Sequence, residues 1–282
     1  MKKRLFIEEL FAKALMAFST FVVFVFVFSI VSTIIKYGWH ALSWELVSQL
    51  PTGGFYLGKG GGFLNAIVGS LYIVGASTIL GLTISIPIVF FLNVYLTPQS
   101  KFGYAARLAF DILFGVPSIV YGAFAFSIMI YLGMKASLLG GIVVVTLLII
   151  PIFIRTMDET ARNFPRDLLD ATYSLGATRW ETLWIIVRQI APGIATATLL
   201  SIGRAIGDAA GVMLTTGFND SIPTSLSDQT ASLPLTVFFL WQTPSRAVQE
   251  RAYAAALVLT LIVLALSILG RLISNKFSKN KL

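Results

Sequence analysis

Pro165-Arg166-Asp167-Leu168-Leu169-Asp170-Ala171-Thr172-Tyr173-Ser174-Leu175-Gly176-Ala177-Thr178-Arg179-Trp180-Glu181-Thr182-Leu183-Trp184 is the longest charged and mixed stretch in a chain otherwise built of apolar runs, and it continues to Pro192-Gly193. Pro165 suits the first turn of a helix, where its missing N–H is not needed. Gly176 can take the left-handed conformation that closes that helix. Thr178 and Glu181 have the Thr-x-x-Glu spacing of a capping box. Trp180, Leu183, Trp184 and Val187 follow at i, i+3, i+4 and i+7, giving a second helix one apolar face. The stretch predicts a short helix, a sharp turn and a second helix returning into lipid.

Working outward, the rest of the 282 residues is 56% hydrophobic and only 12% charged, and the mean hydropathy is +0.84. Runs of this length and apolarity define an all-α integral membrane protein. Six transmembrane helices are expected, at about Ala14–Ile35, Ala66–Leu92, Ala106–Leu132, Ser137–Ile154, Gly193–Gly217 and Ala252–Ile273. They form a single transmembrane domain over 1–282, with a cytoplasmic loop over 155–192. The run after Met1-Lys2-Lys3-Arg4 is too long for the apolar core of a signal peptide and is kept as a span.

The net charge of +8 at first suggests nucleic acid. The basic residues instead cluster beside the apolar spans, with no stripe of Lys/Arg and interleaved aromatics, so no nucleic-acid partner is expected. With the N-terminus inside, fifteen basic residues from Lys2 to Lys281, among them Arg107, Arg155, Arg162, Arg166, Arg179 and Arg188, face the cytoplasm. Lys36, Lys59, Lys135, Arg246 and Arg251 fall outside, and Arg204 lies within a span. The bias places both termini in the cytoplasm. There are no cysteines, which excludes disulfides and thiolate metal sites. The one histidine, His40, sits beside Trp39 at a membrane edge and reads as interfacial rather than ligating. No metal site is expected.

Gly53-Gly54-Phe55-Tyr56-Leu57-Gly58-Lys59-Gly60 matches the Gly-x-x-x-x-Gly-Lys of a phosphate-binding loop by spacing only. Gly60 stands where that loop needs a Ser or Thr for Mg²⁺, and the segment is expected outside the cell, so it reads as a flexible external turn. The segment from Ser221 to Ser245, rich in Ser, Thr and Pro, also reads as external.

Two spans carry polar features. In the third, Pro117 should kink the helix, with Asp111, Gly115, Ser118 and Gly122 on one face. In the fifth, Arg204 and Asp208 stand four apart in an apolar helix, where charge is expensive unless paired or facing a wet cavity. Ser201 and Thr215 share their arc, and Gly203, Gly207 and Gly211 run alongside as a small-residue track. Ser201, Arg204, Asp208, Pro117 and Ser118 are the candidate path residues. Arg204 would help an oxyanion across while Asp208 holds or screens it; a purely structural Arg204–Asp208 pair at a subunit interface fits the same residues.

Four stretches resemble one family. Asp170-Ala171-Thr172 followed by Gly176 is similar to the Glu-Ala-Ala-x-x-x-Gly loop of ABC importer permeases. Asp170 stands for Glu and Thr172 for Ala, and Ile186-Val187-Arg188-Gln189 departs from the usual Ile-x-Leu-Pro, with proline only at Pro192. Gly115-Val116-Pro117-Ser118-Ile119-Val120-Tyr121-Gly122, the run from Gly61 to Leu71, and Arg204-Ala205-Ile206-Gly207-Asp208 resemble the phosphate-type branch of these permeases. The resemblance implies a type I ABC importer permease fold in a prokaryotic inner membrane and a non-enzymatic transport subunit. It implies a heterodimer with a second permease, two ATPase subunits and an external phosphate-binding protein. ATP and Mg²⁺ would be used by the ATPases, with no cofactor on this chain. Asp170, Ala171, Thr172, Leu175 and Gly176 would form the contact with the ATPase. A permease for sulfate, molybdate or phosphonate, a secondary transporter or channel using Arg204 and Asp208, and a structural membrane protein are the competing readings.

Overall fold

The computed structural model of the chain describes residues 2–55, 60–97, 99–163 and 166–278. Among them the regular structure is helical, with one isolated antiparallel bridge between Pro51 and Gly61. In order, the helices are α1 (Lys2–Ala41), α2 (Trp44–Ser48), α3 (Leu64–Phe90), α4 (Lys101–Gly115), α5 (Ser118–Tyr131), α6 (Leu138–Arg162), α7 (Arg166–Ser174), α8 (Arg179–Ile206), α9 (Leu233–Gln242) and α10 (Arg246–Ser278). A π-helical turn, Phe91–Tyr95, extends α3 one turn beyond Pro87.

Five helical stretches are long and apolar enough to cross a membrane: Glu8–Ala41, Leu64–Tyr95, Leu138–Arg162, Arg179–Ile206 and Arg246–Leu272. The sixth expected span is a broken one. α4 and α5 meet at 101° across Val116-Pro117, far more than a kink. Proline removes one ladder hydrogen bond and disfavours helix at the residue before it, and the chain uses that interruption to stop and restart.

α6 forms the centre, packed by α3 on one side and α8 on another, with Ile149, Phe153, Ile154 and Met157 almost wholly buried. α1 is apolar on all sides yet exposed along its length, as a helix facing lipid should be. It runs antiparallel to α10 and meets it at Gly38, which lies against Tyr253 and Leu257. The starts of α3, α6 and α10 gather at the end of the bundle that carries α9, and α7 lies at the opposite end.

The limits of two expected spans are corrected here, and two segments read as external make contacts that the sequence did not announce. The fifth span ends at Ile206; residues 207–216 are turns, so Gly193–Gly217 is not one helix. The fourth span does not stop at Ile154, since α6 continues to Arg162, and the fifth does not start at Gly193, since α8 is one helix from Arg179. Ser221–Ser245 is not a solvent loop. It contains α9, whose Leu233, Leu235 and Leu240 are fully buried. It also satisfies the N–H groups at the start of α6, which a helix N-terminus leaves without partners. Ser137 N donates to the Thr215 carbonyl, Leu138 N to Asp228 and Leu139 N to Leu226. Ahead of α3, Phe55 is buried and its carbonyl accepts from Arg251 at 2.7 Å; Gly58 and Lys59 of the glycine-rich turn lie outside the described residues. Pro165 lies outside the described residues.

Candidate functional site

The α4–α5 elbow is held open from both sides. Val116 N donates to the Leu113 carbonyl at 3.0 Å, and the Tyr121 hydroxyl reaches back across the break to the same oxygen at 2.8 Å. These bonds satisfy a carbonyl that a broken helix would leave bare. Ser118 begins α5, with Pro117 in extended backbone just before it. Gly122 then packs against the backbone of Gly211: a Cβ there would lie 2.5 Å from the Gly211 oxygen. The elbow therefore rests directly on the turn that follows α8.

Arg204 stands at the end of α8, exposed, with its guanidinium carbon 6.0 Å from the centre of the Phe114 ring on α4. This is cation–π range, and the Tyr121 hydroxyl is within its electrostatic reach. Nothing of this chain stands within 4 Å of where a Cβ on Gly203 would sit, so the surface beside Arg204 is open. Asp208 does not pair with it. Gly207 caps the helix, and Asp208 Oδ2 accepts the Gly211 N–H at 2.9 Å, closing the turn. Because the helix has ended, Asp208 and Thr215 leave the arc of Arg204; Thr215 is fully buried. Ser201 is on α8 but on its buried side with Ala197 and Ala205, and its hydroxyl has no hydrogen-bond partner. Of the five path candidates, Arg204, Pro117 and Ser118 thus gather at the elbow. Asp208 supports them as a turn residue, and Ser201 belongs to the core.

The second candidate element lies at the other end of α8. α7 ends in a Schellman turn: Ala177 N donates to the Thr172 carbonyl at 3.3 Å, Gly176 N donates to Tyr173 at 2.9 Å, and Gly176 has φ +82°. Thr178 and Glu181 form the expected capping box at the start of α8. The turn leaves Leu175 88% exposed, with Asp170 and Ala171 on the surface beside it and Thr172 half-buried. Arg179 stacks on Tyr95 at 5.2 Å, tying the start of α8 to the π turn.

Two ion pairs between α4 and α6 were not foreseen. Arg107 binds Asp158 through both Nε (2.8 Å) and Nη2 (3.0 Å), and its Nη2 also donates to the Leu92 carbonyl at 3.1 Å. Asn93, in the π turn, donates to the same carboxylate at 2.7 Å. Arg155 pairs with Asp111 at 2.6 Å. The signal was present: Arg107, Asp111 and Phe114 are at i, i+4 and i+7 on α4, and Arg155 and Asp158 share a face of α6. Among the described residues, no three His, Cys, Asp or Glu side chains lie together as a metal site would need.

A family model described as binding-protein-dependent transport system inner membrane component matches residues 95–279, which contain the elbow, α7 and Arg204. The chain is 33% identical over 244 residues to the phosphate transport system permease protein PstA of Haemophilus influenzae, covering 86% of this chain and 85% of that one. It is 34% identical over 226 residues to the protein of the same name from Yersinia pestis, covering 79% and 74%. Among solved structures, a bacterial alginate ABC transporter aligns with TM-score 0.67 at 13% identity, over 95% of each chain. An inward-facing MetNI methionine ABC transporter aligns at 0.62 and 16%, over 76% of this chain and 95% of that one. These likenesses establish the fold. With its broken third span, its exposed turn before α8 and its match over residues 95–279, the chain belongs to the family of binding-protein-dependent transport system inner membrane components.

Proposed function

We propose that this chain is the transmembrane permease subunit of an ATP-driven importer of inorganic phosphate. It would pair with a second, similar permease as a heterodimer, with two ATPase subunits at the α7 end and an external phosphate-binding protein at the α9 end. In this reading the α7 end is cytoplasmic, as the distribution of basic residues requires. The relatives named for phosphate transport support the substrate. The observation that carries the reading is Arg204: a guanidinium at the open face of a membrane helix, with no ion pair among the described residues. Such a charge is tolerated where a wet path or an anion meets it.

α8 supplies the mechanical link. It is one helix from the capping box at Thr178 to Arg204, a rod of about 40 Å at ~1.5 Å per residue. ATP-driven movement of the ATPases would displace α7 and the Gly176 turn, and the rod would carry that displacement to the elbow as rigid-body rocking. Pro192, inside α8, is where it would flex. ATP and Mg²⁺ act in the partner subunits.

The test is Arg204→Gln. Phosphate uptake should fall on the order of tenfold or more, the loss expected when a charge-assisted contact is removed. Copurification of the ATPase should be unaffected. Normal uptake by this variant would remove Arg204 from the path.

A further inference from the structure

Below Arg204, towards α7, the facing sides of α4 and α6 border an open cleft of about 460 Å³ whose lining includes Arg107, Asp111, Arg155, Asp158, Glu159 and Arg162. The two arginine–carboxylate pairs in its wall differ in kind. Arg107 is locked: its guanidinium bonds both oxygens of Asp158 and a backbone carbonyl, and the pair is mostly buried. Arg155 is held by one bond only, Nη1 to Asp111 Oδ1, with both side chains half exposed at 52% and 51%. A guanidinium has five N–H donors, so Arg155 keeps most of its fork free.

Phe114 joins this second pair to Arg204. Both guanidiniums stack on its ring, Arg155 at 5.5 Å and Arg204 at 6.0 Å. The cation at the elbow and the cation at the head of the cleft thus share one aromatic neighbour.

We infer that Arg155 is a second oxyanion site on the exit side of Phe114, taking phosphate from Arg204, and that Asp111 is the counter-charge that keeps the site weak enough to release it. The inference rests on the phosphate-importer reading. Conduction needs each site to bind well enough to be entered and poorly enough to be left. A tetrahedral oxyanion fits the free edge of the Arg155 guanidinium, as bidentate Arg–phosphate pairs do. The Asp111 carboxylate on the other edge repels it. Arg107 is less suited to this part, because its Nε and Nη2 are held by Asp158, Leu92 and Asn93 and its side chain is only 22% exposed.

The experiment uses the full complex in proteoliposomes with its ATPase side outward, radiolabelled inorganic phosphate as cargo and unlabelled inorganic phosphate added on the ATPase side. In Asp111→Asn the anion loses its opposing charge. Uptake should slow, and added phosphate should inhibit at a concentration on the order of tenfold lower than in the unaltered complex. In Arg155→Gln, inhibition from that side should be lost and the maximal rate reduced. Should either single change prevent assembly, the neutral pair Asp111→Asn with Arg155→Gln leaves no unpaired charge; it should assemble and lack the inhibition. Inhibition that is the same in these variants as in the unaltered complex overturns the relay. Arg204→Gln separates the two levels. Normal transport by that variant removes Arg204 from the path, whereas blocked transport with unaltered inhibition in the Asp111 and Arg155 variants removes only the exit site.

Discussion

Arg107 and Asp158 form a bidentate pair at 2.8 and 3.0 Å, mostly buried between α4, α6 and the π turn that brings in Asn93. It fastens the base of the broken span to the helix that leads to α7. Removing one partner strands the other charge, so Asp158→Ala should destabilise the chain by about 3 kcal/mol. Replacing both, Arg107→Met with Asp158→Leu, should restore most of the loss, because an apolar pair avoids desolvation and Asn93 retains its bond to the Val89 carbonyl. Thermal unfolding of the purified complex in detergent measures both. A double variant as unstable as the single one would mean that the charges themselves hold these helices.

Much of this arrangement is legible in the sequence and part is not, for identifiable reasons. Local chemistry was readable: the capping box at Thr178 and the glycine stop at Gly176 are set by residues within one turn of each other. Pro117 announced an interruption, but its 101° depends on Gly122 meeting the backbone of Gly211 and on Tyr121 reaching Leu113, contacts made by folding. The end of α8 was hidden because apolar residues continue through Val212, Met213 and Leu214. Asp208 then read as a charge partner four residues from Arg204, when its carboxylate closes the next turn. Ser201 lies close to Arg204 on a helical wheel, yet burial falls between them. Arg155 was counted as a cytoplasmic cation, and no count of charges says which carboxylate or ring it will meet.

The contact of Gly122 with Gly211 predicts a steric effect at the elbow. A Cβ at Gly122 would stand 2.5 Å from the Gly211 oxygen and 3.1 Å from its Cα, and backbone cannot swing aside. Gly122→Ala should cost about 1–3 kcal/mol through overpacking and lift the turn at Asp208 away from α5. Phosphate uptake should fall in proportion to the displacement while the complex still assembles. Gly75→Ala is the matched control: nothing lies within 4 Å of its added methyl, and alanine favours helix. If the two variants transport equally well, the elbow does not depend on this contact.

At Gly176 the prediction concerns docking. Its φ of +82° costs a residue with a Cβ about 1–2 kcal/mol, and more for a branched one. Gly176→Val should reorient Leu175 and reduce copurification of the ATPase. Gly176→Asn, which tolerates the left-handed region, should retain most of it. Equal recovery of ATPase with both variants would show that the turn does not set the docking geometry.

The last prediction concerns acid. The Asp228 carboxylate accepts the Thr224 N–H at 2.8 Å, the Ser225 N–H at 2.9 Å and the Thr224 hydroxyl at 3.0 Å. These bonds favour the ionised form, led by the one from Thr224 N–H, and hold its pKa below the usual carboxylate value. A lowered folded pKa means that the stabilisation is fully present above the unfolded value of about 3.9 and is lost as pH falls through the folded one. The Asp228 carbonyl also receives the Leu138 N–H, so loosening here should reach the first turn of α6. Hydrogen exchange at Thr224, Ser225 and Leu138, corrected for intrinsic rates, should stay slow from neutral pH down to about pH 5 and accelerate only below about pH 4. Asp228→Ala should accelerate exchange at all three even at neutral pH, because the acceptor is gone at every pH. Protection that survives this substitution would mean that packing of α9, rather than the Asp228 carboxylate, orders the segment over α6.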